Sequence, residues 1–242
     1  MGADGSSRPA RGGMLWDVLR AVVAARVAET GRTALDIVDV GGGTGGLAVP
    51  FAALGHDVTV VDPSPDALAA AQRRAAEAGA RLISVQGEAA SLDGVVGAAA
   101  ADLIICHNVL EYVDSPADAM SAIARVLRPS AAVSVLAANA VAAVLHRALA
   151  GRFAEARAML TGKEAGSTPR RFTLPELTAL IEAAGLRPGE AHGLRIFGGL
   201  VPGALLDGDA AAADALRALE EAAAGTPPLR DIASQLHVLG HR

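Results

Sequence analysis

From Arg11 to about Glu29, apolar residues recur at helical spacing. Leu15, Leu19, Val22, Val23 and Val27 share one face, so the pattern predicts an amphipathic helix, which Gly31 stops. The period then changes. Ala34 to Val40 and Val58 to Asp62 are short apolar runs that read as buried strands. Between them a glycine-rich turn feeds a helix that starts at Leu47 and ends at Leu54-Gly55. Ser64 is placed to N-cap, and Pro65 to open, a helix that runs to Gly79. Arg81 to Val85 reads as strand 3, and Ala101 to Cys106, apolar almost throughout, as a central parallel strand 4. Ser115-Pro116 starts a helix that ends at Leu127-Arg128-Pro129, and Val133 to Ala137 is strand 5.

Strand and helix alternate strictly to this point, which predicts a parallel sheet with right-handed crossovers. The remainder is less regular. Ala140 to Ala150 and Phe153 to Leu160 read as helices, followed by a polar loop from Thr161 to Arg171. Thr173-Leu-Pro-Glu176 has the spacing of a capping box, opening a helix that stops at Gly185. Ala191 to Phe197 reads as strand 6, Ala210 to Ala224 as a helix, and Ile232 to His241 as the last strand. The expected organisation is a flexible tail over residues 1–10 and one domain over 11–242, with a helical insertion at about 140–171.

Strand 1 ends in Asp39-Val40-Gly41-Gly42-Gly43-Thr44-Gly45-Gly46, and strand 2 ends on Asp62. This layout places a nucleoside cofactor across the carboxyl ends of two parallel strands: glycines let backbone approach the ligand, and the acid receives the ribose hydroxyls. Gly41, Gly43 and Gly46 satisfy the dinucleotide fingerprint, which is weak alone. Asp39 separates the readings. A carboxylate two residues before the first glycine repels pyrophosphate, but it suits the cationic amino group of S-adenosylmethionine (SAM), which carries no phosphate.

Composition narrows the class further. The chain has 242 residues, 52% of them hydrophobic, enough for a large core and too apolar for global disorder. A net charge of −5 gives no global attraction for nucleic acid, although a local basic patch would suffice for RNA. Cys106 is the only cysteine, which leaves no intramolecular disulfide or thiolate cluster, and the histidines lack ligand spacing, so no metal is expected. Met1 to Gly13 lacks the apolar core of a signal peptide, and the longest apolar run, Ala131 to Leu145, is interrupted by Ser134 and Asn139. The expectation is a cytoplasmic enzyme without membrane attachment.

Each candidate residue has a plain alternative. Asp62 is the ribose anchor, or an acid favoured by the following helix dipole. Ala89 and Ala90, after strand 3, would meet the adenine edge through backbone, and Glu88 is either an adenine contact or a solvated loop acid. His107, after strand 4, is a cofactor-packing residue and also the candidate catalytic base. Arg11 would pair with the methionine carboxylate, or is a disordered terminal arginine.

The stretch Ile37-Val-Asp-Val-Gly-Gly-Gly-Thr-Gly-Gly46 resembles the first motif of class I SAM-dependent methyltransferases. Further points resemble one group, the bacterial enzymes that methylate the carboxylate of tRNA wobble 5-carboxymethoxyuridine. These are Arg11 with Leu15-Trp16, Asp62, His107-x-Val-Leu-Glu-Tyr-Val113, Asn139-Ala140, Gly151-Arg-Phe153, Gly193-Leu-Arg-Ile-Phe197, Ala218-Leu-Glu220 and Leu236-His237-Val238. The resemblance implies a Rossmann-like α/β fold, a mostly parallel seven-stranded sheet with an antiparallel last strand and helices on both faces. It implies SAM bound by Arg11, Gly41, Gly42, Asp62, Ala89, Ala90 and His107, to which the residues add Asp39, Gly43 and Glu88. On the acceptor side Asn139, Arg195 and His237 are the candidates, Arg195 as a bidentate partner for a carboxylate or else a plain surface arginine.

The chain departs from that group in its short start, Gly2 to Ala10, in a loop Gly162–Arg171 without a lysine cluster, at Ala138 where the group shows tyrosine, and at Ser234-Gln235. Stacking and phosphate contacts serve RNA binding, so these departures bear on the acceptor and not on the cofactor. Three readings follow: a carboxyl methyltransferase acting on tRNA, a methyltransferase of a small metabolite, and a non-catalytic SAM-binding protein. The residues do not specify the oligomeric state.

Overall fold

The computed structural model describes residues 13–162, 169–202, 205, 207 and 209–242. Arg11 and part of the 161–171 loop, including Lys163, lie outside the described residues. The sheet has seven strands: β1 (Asp36–Val40), β2 (Asp57–Asp62), β3 (Ile83–Gln86), β4 (Ala101–His107), β5 (Leu127–Ala138), β6 (Arg187–Leu194) and β7 (Gln235–His241). Their spatial order is β3-β2-β1-β4-β5-β7-β6. The first five run parallel, and β7 pairs antiparallel with both β5 and β6. The chain reverses direction across the sheet between β1 and β4, so a crevice opens at the carboxyl ends of those two strands, where open α/β sheets bind ligands.

Nine helices are described: α1 (Met14–Thr30), α2 (Ala48–Ala53), α3 (Pro65–Glu77), α4 (Leu92–Val96), α5 (Pro116–Val126), α6 (Ala140–Leu149), α7 (Phe153–Leu160), α8 (Leu174–Ala183) and α9 (Ala210–Ala223). They bury the sheet from both faces. Leu19 and Val23 of α1, Phe51 of α2 and Leu68 of α3 pack on Ile37, Val60, Leu103 and Ile105. Met120 and Ile123 of α5 and Leu177 and Ile181 of α8 pack on Val38, Ile104, Val133 and Val238. Alternate residues of each central strand thus serve opposite layers, which is why these strands are mostly apolar, with Asp39, Asp102 and Ser134 as buried polar exceptions. No helix among the described residues is long and apolar enough to cross a membrane.

The caps foreseen in the sequence form. The Ser64 side chain accepts from the Ala67 N–H, and Thr173 and Glu176 make a reciprocal capping box. At the amino-terminal edge of the sheet, buried Asp102 accepts hydrogen bonds from Arg26, Arg32 and Arg128, tying α1 and β5 to β4. A lone carboxylate there would be costly to bury, and three guanidinium groups offset that cost.

Several boundaries differ from expectation. The strand expected over Ala191–Phe197 is β6, Arg187–Leu194, because Arg195 takes a left-handed φ of +58° and leaves the sheet. The freed amides of Ile196, Phe197 and Gly198 donate instead to the Glu220 carboxylate of α9, at 2.7–2.8 Å. The last strand starts at Gln235, with a 3-10 turn over Arg230–Ile232 before it. β5 begins at Leu127, through the Arg128-Pro129 segment expected only to end a helix. α4 was not foreseen.

Candidate active site

The turn after β1 is built by backbone. Gly41 N–H donates to the Val61 carbonyl at 2.7 Å, and Gly43 N–H donates to the Asp62 carboxylate at 2.9 Å. The other oxygen of Asp62 accepts from Ser64 N–H at 2.9 Å. Asp62 is buried at the carboxyl end of β2, joining the glycine turn to the start of α3. Each carboxylate oxygen still has a lone pair beyond these bonds, so the side chain can hold both amides and receive ribose hydroxyls. Gly87 N–H donates to the Asp62 carbonyl at 3.3 Å, bringing the loop after β3 alongside. In that loop Glu88 is exposed, Ala89 is buried and Ala90 is exposed, with Ala89 opening a 3-10 turn.

Asp39 lies beneath the glycines. A Cβ at Gly42 would fall 2.6 Å from the Asp39 Cγ and 3.0 Å from Val60, and one at Gly41, where φ is +65°, would overlap the Val109 side chain. Gly42→Ala is therefore expected to displace Asp39 and to cost about 1–3 kcal/mol, as overpacking does. Urea unfolding should show that loss, and an unshifted midpoint would refute the close packing. Burial pushes the Asp39 carboxyl up to about 7, against the Ala48 amide that lowers it and with Asp62 raising it further. A buried, near-neutral carboxyl that a cation would ionise fits an ammonium group. The glycine cradle, the buried Asp39 and Asp62 offer a set of groups that suits SAM: with SAM bound, Asp39 would face its amino group, Asp62 its ribose, and the Glu88–Ala90 loop its base.

Beside this cradle lies a cleft of about 660 Å³. Leu15 and Trp16 of α1 and Leu136 of β5 are among its apolar walls, and His107, Arg195 and Gln235 are polar groups lining it. A larger groove, about 750 Å³, runs between α1 and β5-β7-β6 past Arg26 and Asp102. It opens toward the wrong end of the strands for this fold's chemistry. Asn108 follows β4 with φ +55° and accepts from the Gln235 side chain at 2.6 Å. Asn108 and Arg195 thus hold uncommon backbone conformations on either side of the cleft, as residues at functional sites often do.

His107 is half-buried at the cleft, and burial lowers its pKa to about 3. Its Nε2 lies 2.7 Å from the Ser134 hydroxyl. Cys106 is buried and its thiol is pushed up to about 12, so it offers no thiolate nucleophile. Glu111 accepts from Ala138 N–H at 2.7 Å and anchors the loop after β4 to the end of β5. Arg195 is exposed and has no carboxylate partner among the described residues, whereas Arg217 beside it pairs with Asp214 and Glu221.

Two acceptor-side candidates are corrected. Asn139 is buried and fully engaged: its amide donates to the Asp231 and Ala233 carbonyls, and its oxygen caps α6 through Val141 N–H. It fastens α6 to the segment before β7 and has no donor to spare for a ligand. His237 is fully buried behind Ser134, so it cannot touch an acceptor directly. Sequence reasoning missed Ser134 and Glu220. A lone hydroxyl in an apolar central strand was the available signal for the first. The second stood in the Ala218-Leu-Glu220 point of resemblance, but its role follows from the chain leaving the sheet at Arg195 and is not local in sequence.

A family model described as a methyltransferase domain matches residues 38–135, from β1 into β5. Together with the fold and the relatives below, this places the chain in the class I SAM-dependent methyltransferases, and it is an enzyme of that class using SAM. The chain is 30% identical over 197 residues to the tRNA 5-carboxymethoxyuridine methyltransferase of Escherichia coli O157:H7, covering 77% of this chain and 71% of that protein. It is also 30% identical over 197 residues to a ubiquinone biosynthesis O-methyltransferase of Xanthomonas axonopodis pv. citri, covering 79% and 77%. The solved magnesium protoporphyrin IX methyltransferase of Synechocystis PCC 6803, with bound SAH, shares the fold at TM-score 0.58 and 16% identity, covering 93% of this chain and 82% of that one.

Proposed function

We propose that this methyltransferase esterifies a carboxylate, the acceptor being the carboxymethoxy group of a tRNA wobble uridine. The observation that carries the reading is Arg195, an arginine without a carboxylate partner among the described residues, at the rim of the cleft beside His107. The identity to the tRNA-modifying enzyme supports it. SAM supplies an electrophilic sulfonium methyl. The chain's own part is alignment: Arg195 holds the carboxylate, Leu15, Trp16 and Leu136 exclude water, and Asp39 and Asp62 fix the donor. A carboxylate is ionised at neutral pH and needs no base.

Arg195→Ala is expected to lower kcat/KM for the acceptor about 10- to 100-fold, the scale of a hydrogen bond to a charged group, and to leave SAM affinity unchanged. Loss of SAM affinity in calorimetry would move Arg195 to the cofactor side. The acceptor itself is tested by incubating enzyme with methyl-labelled SAM and two pools from its own organism, total tRNA and small-molecule extract. Label in tRNA that mild alkali releases supports the ester.

Label only in the small-molecule pool supports a second reading, methylation of a metabolite. The acidic residues Glu220 and Glu221 along the cleft favour it, since they oppose a phosphate backbone.

A further inference from the structure

His107 does not end at Ser134. Its ring, the Ser134 hydroxyl, His237 and His192 form one line of hydrogen bonds across β4, β5, β7 and β6. The separations are 2.7 Å from His107 Nε2 to Ser134 Oγ, 2.8 Å from Ser134 Oγ to His237 Nε2, and 3.3 Å between the Nδ1 atoms of His237 and His192. The register explains the line. His107 pairs with Leu136, Leu136 with His237, and His237 with His192, so the three rings share a row, and Ser134 stands two residues from Leu136 on the same face. One end opens on the cleft through His107, whose Nδ1 has no hydrogen-bond partner among the described residues. The other end reaches the edge strand. There His192 Nε2 lies 3.9 Å from Glu190, an exposed carboxylate.

We propose that His107, Ser134, His237 and His192 are a proton wire that carries the proton of a protic oxygen acceptor from the cleft to solvent at β6, giving this enzyme a hydroxyl-methylating activity. The inference goes beyond the carboxylate reading, because esterifying an ionised carboxylate releases no proton. With a hydroxyl acceptor, an oxygen lone pair forms the new O–CH3 bond and the S–CH3 pair stays on sulfur. The O–H pair stays on oxygen, and one proton must leave.

Neutral rings and one hydroxyl allow two fully bonded arrangements that transmit a proton. In the first, His107 Nε2–H donates to Ser134, Ser134 donates to His237 Nε2, His237 Nδ1–H donates to His192 Nδ1, and His192 Nε2–H faces Glu190. His107 Nδ1 is then a bare lone pair on a ring that lines the cleft. When it takes a proton, every bond reverses and His192 Nε2 loses one to Glu190 or to water. No imidazolium has to persist inside the protein. Burial disfavours the charged form at His107 and His237, and it lowers His192 against the opposing pull of Glu190. The other charged groups near the line are Arg230 at the His192 end and Arg195, Arg217, Glu220 and Glu221 around the cleft. His107 is the catalytic base of this step, and Ser134, His237 and His192 act through it.

The proposal is tested with catechol as acceptor, methyl-labelled SAM, and the wild type, Ser134→Ala and His192→Gln proteins from pH 6 to 9. Wild type should methylate catechol and release one proton per methyl. Both variants should lose at least about tenfold near pH 6.5 and recover as pH rises and the phenol ionises by itself. A second readout needs no turnover. In 15N imidazole NMR His237 should carry the opposite tautomer to both His107 and His192, and Ser134→Ala should remove the correlation between His107 and His237 while leaving that between His237 and His192. The wire is overturned if wild type leaves catechol unmethylated, if the variants' loss is equal at every pH, or if His107 and His237 share a tautomer. Label in tRNA tests the carboxylate reading separately, so either can fail alone.

Discussion

Asp62→Ala is expected to weaken SAM binding by at least about 100-fold, from the loss of two hydrogen bonds to a charged group at about 1.5–3 kcal/mol each. The side chain has two tasks in one place. It receives the ribose hydroxyls in the proposed pose, and it already accepts the Gly43 and Ser64 amides that hold the turn and the start of α3. Its removal therefore leaves two backbone donors without their acceptor in addition to the lost ligand contacts. Asp62→Asn separates the tasks. An amide can accept from one backbone N–H, but it turns its NH2 toward the second donor, so binding should fall nearly as far while the fold suffers less. Calorimetric titration with SAH measures both variants. An affinity within threefold of wild type for Asp62→Ala would remove Asp62 from the ribose and leave it a purely structural cap.

How much of this site could be read before the fold was known depended on how local its physics is. Asp39, the glycines and Asp62 were legible because a strand, a tight turn and a strand-end acid are near neighbours in sequence, and the turn itself demands glycine at Gly41 and Gly42. β1, β2 and β4 were legible for the same reason, each a short, largely apolar run with punctuation at its ends, whereas β5 was found only in its apolar second half, because Arg128-Pro129-Ser130 at its start reads as a helix stop. β6 was misplaced because it is an edge strand with polar residues such as Glu190, while the apolar Ile196 and Phe197 beyond it pack in a small separate cluster with Ala223 and Ala233. Hydrophobic pattern reports burial, and burial there is not in the sheet. Asn139 looked like a ligand residue because an asparagine before a helix has a free amide until the β7 approach supplies two carbonyls. The His107–Ser134–His237–His192 line was invisible for a stronger reason. Its members are spread over more than a hundred residues and meet only through the strand order β4-β5-β7-β6, which reverses sequence order at the end.

SAH affinity is expected to rise with pH through about 7 and to level off above it, by up to tenfold for each pH unit below. The cause is Asp39. Its carboxyl has an ordinary value of 3.8 and is raised to about 7 by burial, so the ligand-free protein holds a proton there in mildly acidic solution. The ammonium of the ligand favours the ionised form, and binding below pH 7 must expel that proton. The sign is opposite for the stability of the ligand-free fold. The unfolded chain ionises near 3.8 and the folded chain near 7, so the folded state binds more protons between those values. This group therefore adds stability as pH falls from 7 toward 4 and penalises the fold above 7. The two trends move in opposite directions with pH and share one carboxyl, which makes them separable from any general electrostatic effect. Asp39→Asn should flatten both, weakening SAH binding most at pH 8, where the native carboxylate is ionised. Calorimetry at pH 6.5 in two buffers of different ionisation enthalpy should show proton release in wild type and none from this position in the variant. A dissociation constant that stays flat from pH 5.5 to 8 in wild type would mean that Asp39 does not face the cationic end of the cofactor.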